Sequence, residues 1–180
     1  MRRVVNGFTL VEALVAVAVA AILLAIAVPA CSHAMAAANL GSVRADLAVT
    51  VLDAVRHSAI TGSEVVVCPV SAPGQCSRSA NWDQGWMAFA DINGNRVPDA
   101  NETRLAGHTA LPRQVHLRST AGRTRLVFQP NGGNAGSNVT FTLCDSRGPK
   151  SATTLVLSNE GNLRSGQPTT SAAWDCVYGG

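Results

Sequence analysis

The chain has 180 residues, enough for one domain of ordinary size plus an extra element. Hydrophobic residues make up 47% of it and charged residues 14%. The formal net charge is +3, too small for bulk charge to identify a partner.

The hydrophobic excess is concentrated in the first forty residues. MRRVVNG is a short basic head, and the apolar run FTLVEALVAVAVAAILLAIAVPA follows it. Ala13 to Ala30 carries no charge. As a helix those residues span about 27 Å, close to the thickness of a bilayer's hydrocarbon core. Arg2 and Arg3 favour a cytoplasmic N-terminus. A cleaved secretory signal and a plain membrane anchor both share this pattern. Glu12 sets the segment apart from both, because a carboxylate near the start of an apolar span is costly unless protonated or paired.

Gly7-Phe8-Thr9-Leu10-Val11-Glu12 resembles the prepilin peptidase motif of type IV pilins and pseudopilins. The resemblance implies cleavage between Gly7 and Phe8 by prepilin peptidase, methylation of the new N-terminus, and loss of Arg2 and Arg3 with the leader. The mature protein is then near neutral. It also implies a role for Glu12 in assembly. The positive amine exposed on Phe8 of one subunit is offered to Glu12 of another in an apolar setting, where attraction is strong.

Pro29 removes one helical hydrogen bond and is expected to loosen or kink the turn before it. Cys31, just beyond, reads as a small packing residue. Leu40, Val43, Leu47, Val51, Leu52 and Val55 continue near helical period, with Arg44, Asp46, Asp53 and Arg56 between them. One helix is predicted from Phe8 to Ala59, with an amphipathic second half laid on a folded domain and Gly62 as its C-cap.

Beyond Gly62 the texture becomes that of a β domain. Strands are predicted at Glu64–Pro69, Trp86–Ala90, Gln114–Leu117, Arg125–Gln129, Val139–Cys144 and Thr154–Leu157. Gly74–Asn81 and Asp91–Glu102 read as polar connections, and Asn131–Asn134 as a turn. The predicted class is α+β: one long N-terminal helix packed on antiparallel sheet. The expected division is a leader at 1–7, a membrane or filament-core helix at 8–30, its amphipathic half at 31–61 and a periplasmic β-rich domain at 62–180.

A second resemblance rests on Trp82-x-x-Gly85-Trp86-x-x-Phe89-x-Asp91-x-Asn93-x-Asn95 with Asp99 and Glu102, then Phe128-x-Pro130-x-Gly132, Thr142-Leu143-Cys144 and Leu155-x-Leu157-Ser158-x-x-Gly161. In this order the motifs resemble the H-type pseudopilin and FimT/FimU minor pilin family. The resemblance implies a minor, initiating or capping subunit of a type IV pilus or type II secretion pseudopilus, in the bacterial inner membrane, with other pilins as partners through the N-terminal helix.

Cys68, Cys76, Cys144 and Cys176 lie outside the N-terminal segment. In an exported domain they imply two disulfides, each contributing roughly 2–4 kcal/mol. Three pairings are open; Cys68–Cys76 and Cys144–Cys176 are favoured, the first as a short local loop and the second as a pin for the C-terminal tail. The spacing is not that of a zinc site.

Two stretches are candidate binding sites. Asp91, Asn93, Asn95, Asp99 and Glu102 fall at oxygen-donor positions of a calcium loop, but Arg96 stands where an EF-hand needs glycine. A self-bonded polar turn is the favoured alternative; calcium is the single cofactor candidate. From Thr103 to Leu143 there is no acid, yet Arg104, Arg113, Arg118, Arg123 and Arg125 lie there, and Arg113, Arg118, Arg123 and Arg125 are the candidates. Arginines in this pattern can neutralise phosphates. Some FimT-like minor pilins bind DNA in natural transformation and resemble one another in a Gly-Arg-x-Arg motif. Its place corresponds to Gly161-Asn162-Leu163-Arg164, which keeps Arg164, while Gly122–Arg125 fits the letters in an earlier region. DNA is therefore an alternative partner, with a solvated basic face as the bland reading. His33, His57, His108 and His116 are scattered and form no catalytic constellation, so an enzyme is not expected. The three tryptophans read as core and turn packing.

Overall fold

A computed structural model describes residues 9–72 and 74–179. The leader and the Gly7–Phe8 junction lie outside the described residues. A single helix α1, Leu10–Thr61, opens the structure. The chain divides into two compact units, Met1–Met35 and Ala36–Gly180.

In the first unit the described part of α1 is exposed throughout, including Val15, Ile22, Leu23 and Ile26. It is long and apolar enough to cross a membrane. The helix runs on through Pro29, and the Ser32 hydroxyl donates to the Pro29 carbonyl at 2.8 Å. Cys31, expected to pack, is exposed.

In the second unit α1 buries Ala36, Leu40, Val43, Leu47, Thr50, Val51, Ala54 and Ser58. Their spacing of three and four puts them on one stripe. The helix ends at Gly62, whose amide donates to the Ser58 carbonyl at 3.0 Å with φ 73°. This left-handed C-cap is one that glycine adopts without strain.

Two antiparallel sheets follow. The first comprises β1 (Glu64–Ala72), β2 (Gln75–Cys76), β3 (Trp86–Asp91) and β4 (Arg104–His108) in the order β2-β1-β3-β4, with β6 (Leu126–Phe128) also paired to β1. The second orders β5 (Val115–Ser119), β7 (Val139–Asp145), β8 (Thr153–Leu157) and β9 (Leu163–Gly166) as β5-β7-β8-β9. The inner faces of both sheets close on the α1 stripe in one core that includes Leu47, Val51, Val65, Val67, Trp86, Leu117, Phe141, Leu143 and Leu157. Period-two alternation directs Val65 and Val67 into this core. Val66 and Cys68 face the other way, into a smaller cluster with Met87, Phe89 and Val127. All of Val65–Cys68 is thereby buried.

Several elements differ from the sequence reading. Gly74–Asn81 is not wholly loop, because β2 pairs back onto β1 and Cys68 is bonded to Cys76 (Cα–Cα 5.5 Å). Strands β4 and β9 and the helix α2 (Thr170–Tyr178) were not expected. Thr169 caps α2, its hydroxyl accepting from the Ala172 amide. Ala173 and Cys176 face β7, and the Cys144–Cys176 disulfide (Cα–Cα 6.0 Å) joins the two elements. Trp82 and Trp86 are core residues, but Trp174 is 54% exposed on α2 beside Tyr178, with ring centroids 4.8 Å apart.

Candidate functional site

Three groups of residues carry the candidate chemistry. At the start of α1 the Thr9 hydroxyl accepts from the Glu12 amide at 3.3 Å. The Glu12 carboxylate in turn accepts from the Thr9 amide at 3.1 Å and the Thr9 hydroxyl at 3.0 Å. This reciprocal pair is a capping box, which satisfies two amide donors at the helix start. Glu12 thus has a local task that the sequence reading did not assign.

The second group is the Asp91–Glu102 loop. It gathers Asp91, Asn93, Asn95, Asp99 and Glu102, and its own groups occupy their oxygens. Asp91 accepts from the Gly94 and Arg96 amides, each at 2.9 Å. The Asn93 and Asn95 side-chain amides both donate to Asp99 at 2.8 Å. Glu102 accepts from the Ile92 and Asp99 amides. Among the described residues no group of three or more His, Cys, Asp and Glu side chains lies close enough to hold a metal ion. The geometry is that of the self-bonded polar turn. Arg96, at φ 59°, takes the left-handed conformation that an EF-hand reserves for glycine. The Asp91 bond to its amide helps to hold it there.

The arginines form the third group, and the fold gives them different fates. Arg118 is bonded to Asp83 at 2.6 Å and to the Asn81 side chain at 3.0 Å. Asp83 also accepts from the Leu117 amide at 2.9 Å and lies 2.8 Å from His116 Nδ1. Burial alone would raise the Asp83 carboxyl. The bonds from Arg118, His116 and the Leu117 amide outweigh it and hold Asp83 below the ordinary carboxylate value. Arg123 is directed inward at the Ala135 carbonyl, 3.4–3.5 Å away. Arg118 is thus paired with an acid, and Arg123 is turned into the domain. Arg113 and Arg164 are exposed, far from each other in sequence, and among the described residues they form no ion pair. Arg125 donates to the Arg96 carbonyl at 2.9 Å. It lines a groove of about 360 Å³ with Arg78 and Arg96, two arginines the sequence reading left out. Their convergence has no short-range sequence signal: Arg78 and Arg96 come from separate connections and Arg125 from just before β6.

A group depressed in the folded state stabilises above its unfolded pKa and loses that contribution as pH falls through the folded value. Asp83→Asn is therefore expected to destabilise the domain by about 1–2 kcal/mol at pH 7. The deficit should begin to shrink as pH drops below the ordinary carboxylate value of about 4 and go on shrinking until the wild-type carboxyl, held lower, itself protonates. Denaturant unfolding of both proteins from pH 7 to pH 3 checks this; a deficit constant with pH would place the effect elsewhere.

Residues 44–161 match the family described as Type II transport protein GspH, and residues 2–28 match the prokaryotic N-terminal methylation motif. Among solved structures the fold is similar to the type IV minor pilin FimU of Pseudomonas aeruginosa (strain PAO1) in two crystal forms. In space group P65 the identity is 14%, the TM-score 0.56, and the alignment covers 77% of this chain and 99% of that one. In space group P21 the values are 16%, 0.57, 77% and 95%. The minor pseudopilin EpsH from the Type 2 Secretion System of Vibrio cholerae aligns at 12% identity and TM-score 0.49 over 68% of this chain and 91% of that one. No curated protein matches in sequence. At these identities the FimU likeness is one of fold.

Proposed function

The chain belongs to the Type II transport protein GspH family, and from that membership we propose that it is a minor pilin or pseudopilin. In this reading it is a structural, non-enzymatic subunit that initiates or caps a type IV pilus or a type II secretion pseudopilus. The observation that carries it is α1, one 52-residue helix. Its first part exposes an uninterrupted apolar surface of membrane-spanning length. Its last part buries a regular stripe in a β domain. Before assembly, residues 8–30 cross the inner membrane, Arg2 and Arg3 stay cytoplasmic, and the domain from 62 onward lies in the periplasm. Its two disulfides suit that compartment. Prepilin peptidase cuts between Gly7 and Phe8, and the freed helix packs with those of other pilins. Intact-mass analysis of the chain from peptidase-positive cells is expected to show Phe8 as a methylated N-terminus; retention of Met1 sinks the reading.

A second reading adds nucleic-acid capture by the same subunit. It is favoured by Arg78 and Arg125, which take no acidic partner among the described residues and line one groove with Arg96.

A further inference from the structure

We propose that the groove between the β1–β2 hairpin and the Asp91–Glu102 loop binds phosphodiester groups of a nucleic-acid backbone through Arg78, Arg96 and Arg125. The inference rests on the second reading above and is independent of the assembly reading.

The first argument is charge. Arg78, Arg96 and Arg125 share one groove of about 360 Å³, with Gln75, Val97 and Pro98 completing its walls. A fourth guanidinium, that of Arg104, lines a neighbouring cavity and packs against Gly74, which the two share. Glu64, 3.5 Å from Arg96, is the single acid that pairs with any of the four among the described residues, and the pair is partly exposed. Like charges gathered around a single, partly exposed counter-charge repel in the folded state, and a polyanion relieves that repulsion. Calling this a solvated face leaves the convergence unexplained, because three different connections have to meet to produce it.

The second argument is construction. Arg78 follows the Cys68–Cys76 bond by two residues, so the disulfide restrains the turn that presents it. Arg96 is set by the bond from its amide to Asp91 and by its left-handed backbone. Arg125 is tied by one nitrogen to the Arg96 carbonyl, and its other guanidinium nitrogens can donate to a ligand. The self-bonded loop thereby acquires a task as the frame that orients Arg96 and Arg125.

The third argument is ligand chemistry. All four cations are arginines, in a chain whose single lysine is Lys150. Guanidinium forks pair bidentately with phosphate oxygens. An acidic peptide offers similar charge but also needs backbone partners. On this rim the free strand edge is the two-residue β2. A duplex phosphodiester backbone is held by cations spaced along a groove, independent of sequence.

The test uses the full chain in detergent micelles and a short fluorescein-labelled duplex, read by anisotropy between about 50 and 200 mM salt. Three phosphate contacts predict a log–log salt slope near −3, at about −0.9 per phosphate. Arg78→Ser, at an exposed residue, should lower the slope by about 1, and Arg78→Ser/Arg125→Ser by about 2, with affinity reduced about tenfold or more. Arg78→Lys should keep the slope, and Arg113→Ser/Arg164→Ser should leave binding unchanged. Salt-sensitive binding that survives the groove variants but is lost in Arg113→Ser/Arg164→Ser overturns the groove and keeps the nucleic-acid reading. No binding at the lowest salt removes both. Polyglutamate competing as strongly as duplex, charge for charge, overturns the phosphodiester assignment in favour of an acidic protein.

Discussion

Glu12→Gln is expected to leave the chain cleaved and folded while lowering its recovery in sheared filaments by about tenfold or more, the scale on which one desolvated charge contact acts. The substitution separates two roles that an alanine would remove together. In the structure Glu12 closes a capping box with Thr9. Glutamine serves at that position as well, because its side-chain carbonyl accepts from the same amide. The proposed assembly role needs the negative charge, since the partner is the amine freed on Phe8 of a neighbouring subunit. In an apolar surrounding a neutral amide does not replace a carboxylate. Glu12→Ala loses both functions and should be worse than Glu12→Gln at the helix start. The measurement is an immunoblot of sheared and membrane fractions from peptidase-positive cells. Wild-type recovery of Glu12→Gln would reduce the residue to a helix cap and remove the charge from the assembly mechanism.

Phe141→Ala should cost about 3–5 kcal/mol, a large part of the stability of an ordinary domain. Phe141 is fully buried in β7, the strand that pairs with both β5 and β8. Its ring meets Trp82 edge-on, with centroids 5.1 Å apart at 90°. Among the described residues Trp82 Nε1 has no hydrogen-bond partner, so packing fixes that indole. Removing the Phe141 ring leaves a void at the meeting of α1 and the two sheets that the paired strands cannot close by shifting. Trp174→Ala, on the exposed side of α2, is the contrast and should change stability by no more than about 0.5 kcal/mol. Urea unfolding of the full chain in detergent, followed by tryptophan fluorescence, compares the two. A Phe141→Ala cost near that of Trp174→Ala contradicts the packing described.

The long helix was legible because two patterns specify it. One is a run too apolar for water, and the other is a stripe at Leu40, Val43, Leu47 and Val51 that needs no distant partner to recognise. Strands β1, β3, β5, β6, β7 and β8 were legible to within two residues at each end except β1, which runs on to Ala72. Short β-branched and aromatic runs between glycine-rich turns have few other stable uses. Strand β4 was not, because Arg-Leu-Ala-Gly-His has no alternation of its own. It is a strand because β3 supplies its hydrogen-bond partners. Helix α2 has nine residues, too few to persist alone. Packing on β7 and the Cys144–Cys176 bond hold it.

The α+β class, the motif at Gly7–Glu12 and the burial stripe of α1 are properties of neighbouring residues, so sequence alone determined them. The fates of the arginines were decided only by tertiary structure. Arg118, Arg123 and Arg125 sit within eight positions of one another and look interchangeable as letters. One is neutralised by Asp83, one turns inward to a carbonyl, and one joins Arg78 and Arg96 across a groove. A charge acts through whatever stands within a few ångströms of it, and chain folding rather than chain order sets those neighbours.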